Sequence, residues 1–208
     1  MRLHYHPLSS YSRKVDIGLA LRGEPVERVQ LNPMAGELGS PDFVALSPFG
    51  KMPVLEGTPE GPIFESTSIL EFFEERGPRV LLPEGEERRC RHFDRVGDLY
   101  LLDAIGAYFW RKDAATRAAT ERSLGIAWGL WQAELADGRP FLCGERITLA
   151  DLSAGIAAHY AFTEGLGLPS AIAAYRERFE RHPAAAASRD AAEPFIAATL
   201  PRRQPKAD

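Results

Sequence analysis

The sequence predicts an α/β domain on a mixed sheet, followed by an all-α helical bundle. Three observations carry this. Residues 1 to 77 hold short β-rich runs broken by Pro and Gly, whereas residues 86 to 200 are rich in Ala and Leu at helical spacing, with few breakers. Between them stand Gly77-Pro78-Arg79 and Pro83-Glu84-Gly85, which mark a boundary. The last stretch, 201–208, is polar and Pro-containing and reads as a mobile tail.

Taken in order, Arg2 to Tyr5 alternates polar and apolar residues as a short strand, and Val26 to Leu31 does so again. Between them Ser12 to Arg22 places Val15 and Leu19 one helical turn apart, and Gly23 stands where a left-handed C-terminal cap belongs. A short helix is expected over Asp42 to Leu46. Val54 to Glu56 and Pro62 to Phe64 read as strands turned at Thr58-Pro59-Glu60-Gly61, and a helix follows from Ser66 to Arg76. The order βαβα then ββα requires a right-handed parallel crossover followed by an antiparallel hairpin, as in thioredoxin-like domains.

In the second half, Glu86 to Asp113 and Ala115 to Ala136 read as two long antiparallel helices, with Gly125 and Gly129 suggesting close approach of a neighbour. Shorter helices are expected at Leu149 to Thr163, Pro169 to Arg181 and Ala191 to Leu200. Ile147-Thr148-Leu149-Ala150-Asp151-Leu152 is a complete helix start: Thr148 caps, Asp151 answers at the third position and Ile147 can staple against Leu152.

Composition narrows the function classes. Apolar residues make up 45% and charged residues 26%, so the chain folds. With 25 basic against 29 acidic side chains the net charge is -4, which argues against a nucleic-acid binder, because phosphate neutralisation needs a positive field. No apolar run is long enough for a membrane span and the N-terminus lacks signal-peptide features, so a cytoplasmic location is expected. Cys90 and Cys143 are far apart in sequence, without C-x-x-C spacing or clustered histidines. They read as two ordinary buried or half-buried thiols rather than a disulfide framework or a metal site.

Three constellations carry candidate chemistry. Ser9-Ser10-Tyr11-Ser12 lies between the first strand and first helix, where backbone N–H groups lack intrahelical partners and attract anions. A serine hydroxyl there can donate to an incoming thiolate, although capping alone also explains the serines. A charge-assisted hydrogen bond is worth about 1.5–3 kcal/mol and a helix end about 0.3–1 kcal/mol, against about 1.4 kcal/mol per pKa unit. In Phe49-Gly50-Lys51-Met52-Pro53-Val54-Leu55 a proline opens a strand; in the thioredoxin arrangement the bond before it is cis, and Met52 presents its backbone to an extended peptide. In Glu65-Ser66-Thr67, Ser66 reads as an N-cap beside amides suited to a carboxylate, and Glu65 suits an ammonium group.

The segments SSYSRKV, FGKMPVLE, FESTSILEF and GERITLADLSAG, in this order over nearly the whole chain, resemble the cytosolic glutathione S-transferase family, on the side of its serine-type, zeta- and theta-like bacterial members. The resemblance implies a thioredoxin-like first domain binding glutathione as cosubstrate, a helical second domain supplying an electrophile pocket, and a homodimer. No metal, nucleic acid or membrane enters this reading.

Carried over onto this sequence, the resemblance makes Ser9 the thiol-activating residue, with Ser10 next to it and Tyr5, at the end of the first strand, as the tyrosine-type alternative. Met52 before Pro53 would pair with the cysteinyl backbone of glutathione, Glu65 and Ser66 would hold its γ-glutamyl end, and Lys51 would approach its glycyl carboxylate, with Asn32 a weaker candidate. Leu8, Tyr11 and Tyr108, the last among Tyr100, Phe109 and Trp110, would line the pocket for a small apolar electrophile. Two departures bear on activity. The loop lacks the cysteine of omega- and beta-like members, which disfavours mixed-disulfide chemistry. It reads Ser10-Tyr11 where the isomerase class shows Ser-Cys, which weighs against maleylacetoacetate isomerase activity. A glutathione-dependent isomerase or dehalogenase, or a non-catalytic binding protein, remains open on the same fold.

Overall fold

In the computed structural model, which describes residues 1–111 and 113–199, the first half of the chain builds one four-stranded sheet in the order β2-β1-β3-β4. Strand β1 (Arg2–Tyr5) pairs in parallel with β2 (Glu27–Gln30), Tyr5 opposite Gln30. On its other side it runs antiparallel to β3 (Val54–Glu56), His4 opposite Val54, and β3 pairs with antiparallel β4 (Ile63–Phe64), Val54 opposite Phe64. Helix α1 (Ser10–Arg22) makes the parallel crossover and ends where Gly23 takes φ 69° and returns its N–H to the last turn. Helix α2 (Pro41–Leu46) is capped by Ser40, and α3 (Ser66–Glu74) closes this half. The α/β thioredoxin-like order read from the sequence is the observed one.

The long helix expected over 86–113 runs without a break from Glu87 to Arg111, as α4 (Glu87–Val96) and α5 (Asp103–Arg111) joined by a wider π-helical turn at Gly97–Leu102 that the spacing did not predict. A Cβ on Gly97 would stand 2.8 Å from that of Ser153, so the turn lies tight against the next helix, and the Ser153 hydroxyl donates to Asp98 Oδ1 at 2.6 Å. The inward placement of Asp98 accompanies the bulge. Helix α6 (Ala114–Glu134) follows, then α7 (Leu149–Thr163), α8 (Ser170–Glu180) and α9 (Pro183–Thr199). Helix α9 begins at Pro183, well before Ala191, because Pro suits a first helical turn and the alanines after it propagate the helix. Residues 201–208, read as a tail, lie outside the described residues.

The glycine expectation is corrected. Gly125 and Gly129 face open space, whereas Gly155, like Gly97, is a close contact, its missing Cβ leaving room for the Phe179 ring. Helix α7 is buried throughout from Leu149 to Ala161 and forms the axis of the helical half. Its start is the predicted capping box. The Asp151 carboxylate accepts from the Thr148 N–H (3.0 Å) and hydroxyl (2.9 Å), the Leu142 N–H (3.0 Å) and the Tyr175 hydroxyl (3.0 Å). Burial pushes its pKa up in spite of these donors.

One apolar core runs through both halves, from Leu3, Val15 and Ile69 to Phe93, Trp128, Trp131 and Tyr175, and a smaller one of Leu31, Phe43 and Val54 joins the sheet to α2. The connection after α3 is tied down. Glu74 accepts from the N–H groups of Val80, Leu81 and Leu82 at 3.2, 3.1 and 2.9 Å and pairs with Arg22, while the Leu149 N–H donates to the Leu81 carbonyl at 2.9 Å. Lys14, fully buried on α1, reaches Asp94 Oδ1 (2.5 Å), Asp98 Oδ2 (2.8 Å) and the Thr67 hydroxyl (2.9 Å). Cys90 and Cys143 are free thiols, one buried and one half-buried, as expected, and although far apart in sequence their sulfurs are 3.2 Å apart.

Candidate functional site

The sheet register places the predicted site residues at one end of the sheet. The chain leaves β1 after Tyr5 toward Ser9, enters β3 from Met52 and Pro53 opposite His4, and leaves β4 after Phe64 into Glu65 and Ser66. Parallel pairing brings β2 out at the same end, with the Leu31 N–H on the Tyr5 carbonyl at 2.8 Å, and Asn32 follows.

Ser9 is the N-cap of α1, and its Oγ accepts from the Ser12 N–H at 3.2 Å. Capping uses a lone pair and leaves the hydroxyl proton to be donated elsewhere. Ser10 is the first residue of the helix proper. The loop before Ser9 is fixed by residues that the sequence reading did not single out. The His6 carbonyl accepts from the Ser9 N–H (3.0 Å), His6 Nδ1 accepts from the Leu8 N–H (3.1 Å), and the Tyr160 hydroxyl donates to the Leu8 carbonyl (2.7 Å). Burial lowers the pKa of His6, which keeps Nδ1 an acceptor, and its ring packs edge-on against Phe195. The proximity of His6 to the serine run was a readable signal; nothing in the sequence pointed to Tyr160.

The Met52–Pro53 peptide is cis, as the thioredoxin-like order implies. Among the described residues neither the N–H nor the C=O of Met52 has a hydrogen-bond partner, so both are available to an added strand. The approach is braced by Ser47, whose hydroxyl donates to the Lys51 carbonyl (2.7 Å) and accepts from the Lys51 N–H (3.1 Å); the Lys51 side chain is exposed.

At the third segment the cap assignment shifts by one residue. Glu65, not Ser66, occupies the N-cap position, and its side chain makes no capping bond. The first amides of α3 are therefore left without that partner. Glu65 sits at φ 75°, ψ 120°, and is the described non-glycine residue with positive φ. Such strain persists only where surrounding structure imposes it, and it clusters at ligand sites. Ser66 is buried as the first helical residue, and Glu65 is exposed.

Other candidates are already engaged. Tyr5 is half-buried against the main core, and burial, then the Asp16 charge, pushes its phenol pKa up. The Tyr11 hydroxyl donates to Asp103 Oδ1 (2.7 Å) and the Asp98 carbonyl (3.1 Å), and burial with that carboxylate holds its pKa far above the ordinary phenol value. Tyr108 is buried and its hydroxyl accepts from Arg117 at 3.0 Å, while Asn32 Oδ1 accepts from the Met34 and Ala35 N–H groups. Tyr100 and Trp110 are exposed; Phe109 packs edge-on near Tyr160.

The family model described as the N-terminal domain of glutathione S-transferase matches residues 3–83. Glutathione S-transferase F10 of Arabidopsis thaliana is 30% identical over 177 residues, covering 78% of this chain and 79% of that one. The chain belongs to the glutathione S-transferase family. Maleylacetoacetate isomerase of Pseudomonas aeruginosa is 34% identical over 94 residues, 44% of each chain. The solved structure of glutathione transferase F7 from Populus trichocarpa matches with a TM-score of 0.78 over 92% of this chain and 98% of that one, at 22% identity. In this glutathione S-transferase family member the three loops at the end of the sheet thus belong to the half matched by the family model. Among the described residues no helix is long and apolar enough to cross a membrane, and no cluster of His, Cys, Asp and Glu has the makings of a metal site.

Proposed function

We propose that the protein is a glutathione transferase in which Ser9 holds glutathione as its thiolate for attack on an electrophilic small molecule. The observation that carries this reading is the convergence of three complementary groups at one sheet end: a hydroxyl with its proton unused, an unpaired backbone at Met52, and uncapped amides beside Glu65. Glutathione has matching parts. Its cysteinyl backbone pairs with Met52, its γ-glutamyl carboxylate meets the start of α3 with Ser66, its ammonium group meets Glu65, and its glycyl carboxylate faces Lys51.

In the reaction the thiol proton leaves to solvent and the Ser9 hydroxyl donates to the sulfur that remains. The sulfur then forms a bond to the electrophilic carbon, and that carbon's leaving group departs or its π electrons take up a proton. Leu8, with the ring faces of Tyr11 and Tyr108, lines the side where an apolar electrophile enters. Orientation and thiolate formation supply the acceleration. The active form is a cytoplasmic homodimer.

The test is a thiolate absorbance titration of bound glutathione, with product mass measured over a panel of electrophiles. A thioether product, and a bound-thiol pKa near neutrality that rises in Ser9→Ala, are expected. A product lacking glutathione would instead favour the isomerase or dehalogenase reading, toward which the similarity to maleylacetoacetate isomerase points. Binding without turnover would favour a non-catalytic role.

A further inference from the structure

Cys90 and Cys143 are 53 residues apart in sequence, yet their sulfurs touch at 3.2 Å. Cys90 is fully buried on α4, while Cys143 is half-buried in the loop between α6 and α7. That loop is held from three sides. Phe141 and Gly144 exchange backbone hydrogen bonds at 3.0 and 3.1 Å, the Leu142 N–H donates to Asp151, and Arg89 Nε, one residue before Cys90, donates to the Leu142 carbonyl at 3.2 Å. Backbone and side-chain hydrogen bonds therefore hold the Cys143 loop against the start of α4. An approach of about 1 Å would bring the two sulfurs to bonding distance.

We propose that Cys90 and Cys143 form a two-thiol oxidation site that a peroxide closes to an intramolecular disulfide. This inference does not depend on the role of Ser9. Cys143 is the attacking partner: it is the more accessible, and the hydrogen bond from the Cys90 thiol, helped by Thr148, lowers its pKa against its own burial and the nearby Asp151 and Glu86 charges. The same contact, with burial, holds the Cys90 thiol in its protonated form. In the first step the Cys143 thiolate attacks one oxygen of hydrogen peroxide, the O–O bond breaks, and the hydroxide released takes a proton to become water. Cys143 is then a sulfenic acid. In the second step the Cys90 sulfur attacks the Cys143 sulfur, the S–O bond breaks, and the departing hydroxide takes the Cys90 proton. Two thiols and one peroxide give one disulfide and two waters.

The experiment treats the reduced full chain with hydrogen peroxide and follows intact mass, denatured thiol count and peptide maps. Both thiols should disappear together, with the mass falling by two hydrogen atoms, a peptide joining Cys90 to Cys143, and full reversal by dithiothreitol. In Cys90→Ser, Cys143 should stop at a sulfenic acid trapped by dimedone. In Cys143→Ser, the buried Cys90 should react at least about tenfold more slowly than the wild-type pair. Persistence of two titratable thiols, addition of oxygen to each sulfur without loss of hydrogen, or crosslinks between chains would overturn the proposal. Should Cys90→Ser fail to fold, the wild-type mass and Cys143→Ser decide it.

Discussion

The ammonium of Lys14, on the first helix, lies 2.8 Å from Asp98 Oδ2 in the π-helical turn, and the Lys14 side chain is closed off from water. Asp94, at 2.5 Å on the other side, has its pKa pushed up by burial, against the pull of Lys14. A buried ion pair gives little net stability, but removing one partner leaves the other charge uncompensated. Lys14→Met is therefore expected to cost about 3–5 kcal/mol, read by urea unfolding. Adding Asp98→Leu should recover part of that loss, and a double variant no more stable than the single one would contradict the assigned coupling.

At Ser9 two roles coincide and separate by measurement. Ser9→Ala should lose about 0.5–2 kcal/mol of stability with the cap, whereas Ser10→Ala, inside the helix, should change it by less than about 0.5 kcal/mol. The same Ser9→Ala should raise the pKa of bound glutathione by about one to two units, the equivalent of one charge-assisted hydrogen bond. A drop in stability with no change in thiol titration would leave Ser9 a cap and nothing more.

Glu65 sets fold stability against binding. Glycine tolerates positive φ, so Glu65→Gly should gain about 1 kcal/mol in thermal unfolding while glutathione affinity, measured by calorimetry, falls. A glycine variant with unchanged affinity would remove this carboxylate from the ligand site.

Two buried histidines set an acid limit. Burial lowers the pKa of His6 and of His159; at His159 the charge of Arg13 adds to this, and Glu180 and Glu193 oppose it. Between the folded pKa and the unfolded value of about 6.5 the unfolded chain binds more protons, so stability increases with pH there. The contribution is complete above about pH 6.5 and is lost as pH falls toward the folded pKa. The denaturant midpoint should drop as pH falls below about 6.5, and His6→Asn should flatten that dependence.

The Asp151 carboxylate gathers donors from Leu142, Thr148 and Tyr175. Thr148→Ala should cost about 0.5–2 kcal/mol as a lost cap. Asp151→Ala strands several buried donors at about 1–3 kcal/mol each, so the order of melting temperatures should be wild type, Thr148→Ala, Asp151→Ala.

Element order, crossover and capping box were legible because each rests on local chemistry: alternation at Arg2 to Tyr5, Gly23 after a periodic run, Thr148 answered by Asp151. The three loops of the candidate site were legible through their segment resemblance. What escaped depends on contacts distant in sequence. The π-helical turn accompanies the packing of Gly97 on Ser153, and Gly125 and Gly129 look the same in sequence as Gly155 although only Gly155 meets a ring. Lys14 reads as an ordinary surface lysine until Asp94 and Asp98 are brought to it. Cys90 and Cys143 look unrelated until the loop after α6 folds back. At Glu65 the residue identity gives no hint of its backbone angle.

The Tyr160 hydroxyl on the Leu8 carbonyl joins residues 152 positions apart. A chimera carrying the first eighty or so residues of this chain on a helical bundle with no tyrosine at this position would inherit the serine loop without its brace. The loop would then lose its fixed position even where its own residues had been copied, and restoring a tyrosine at that single helical position is the repair such an engineer should try first.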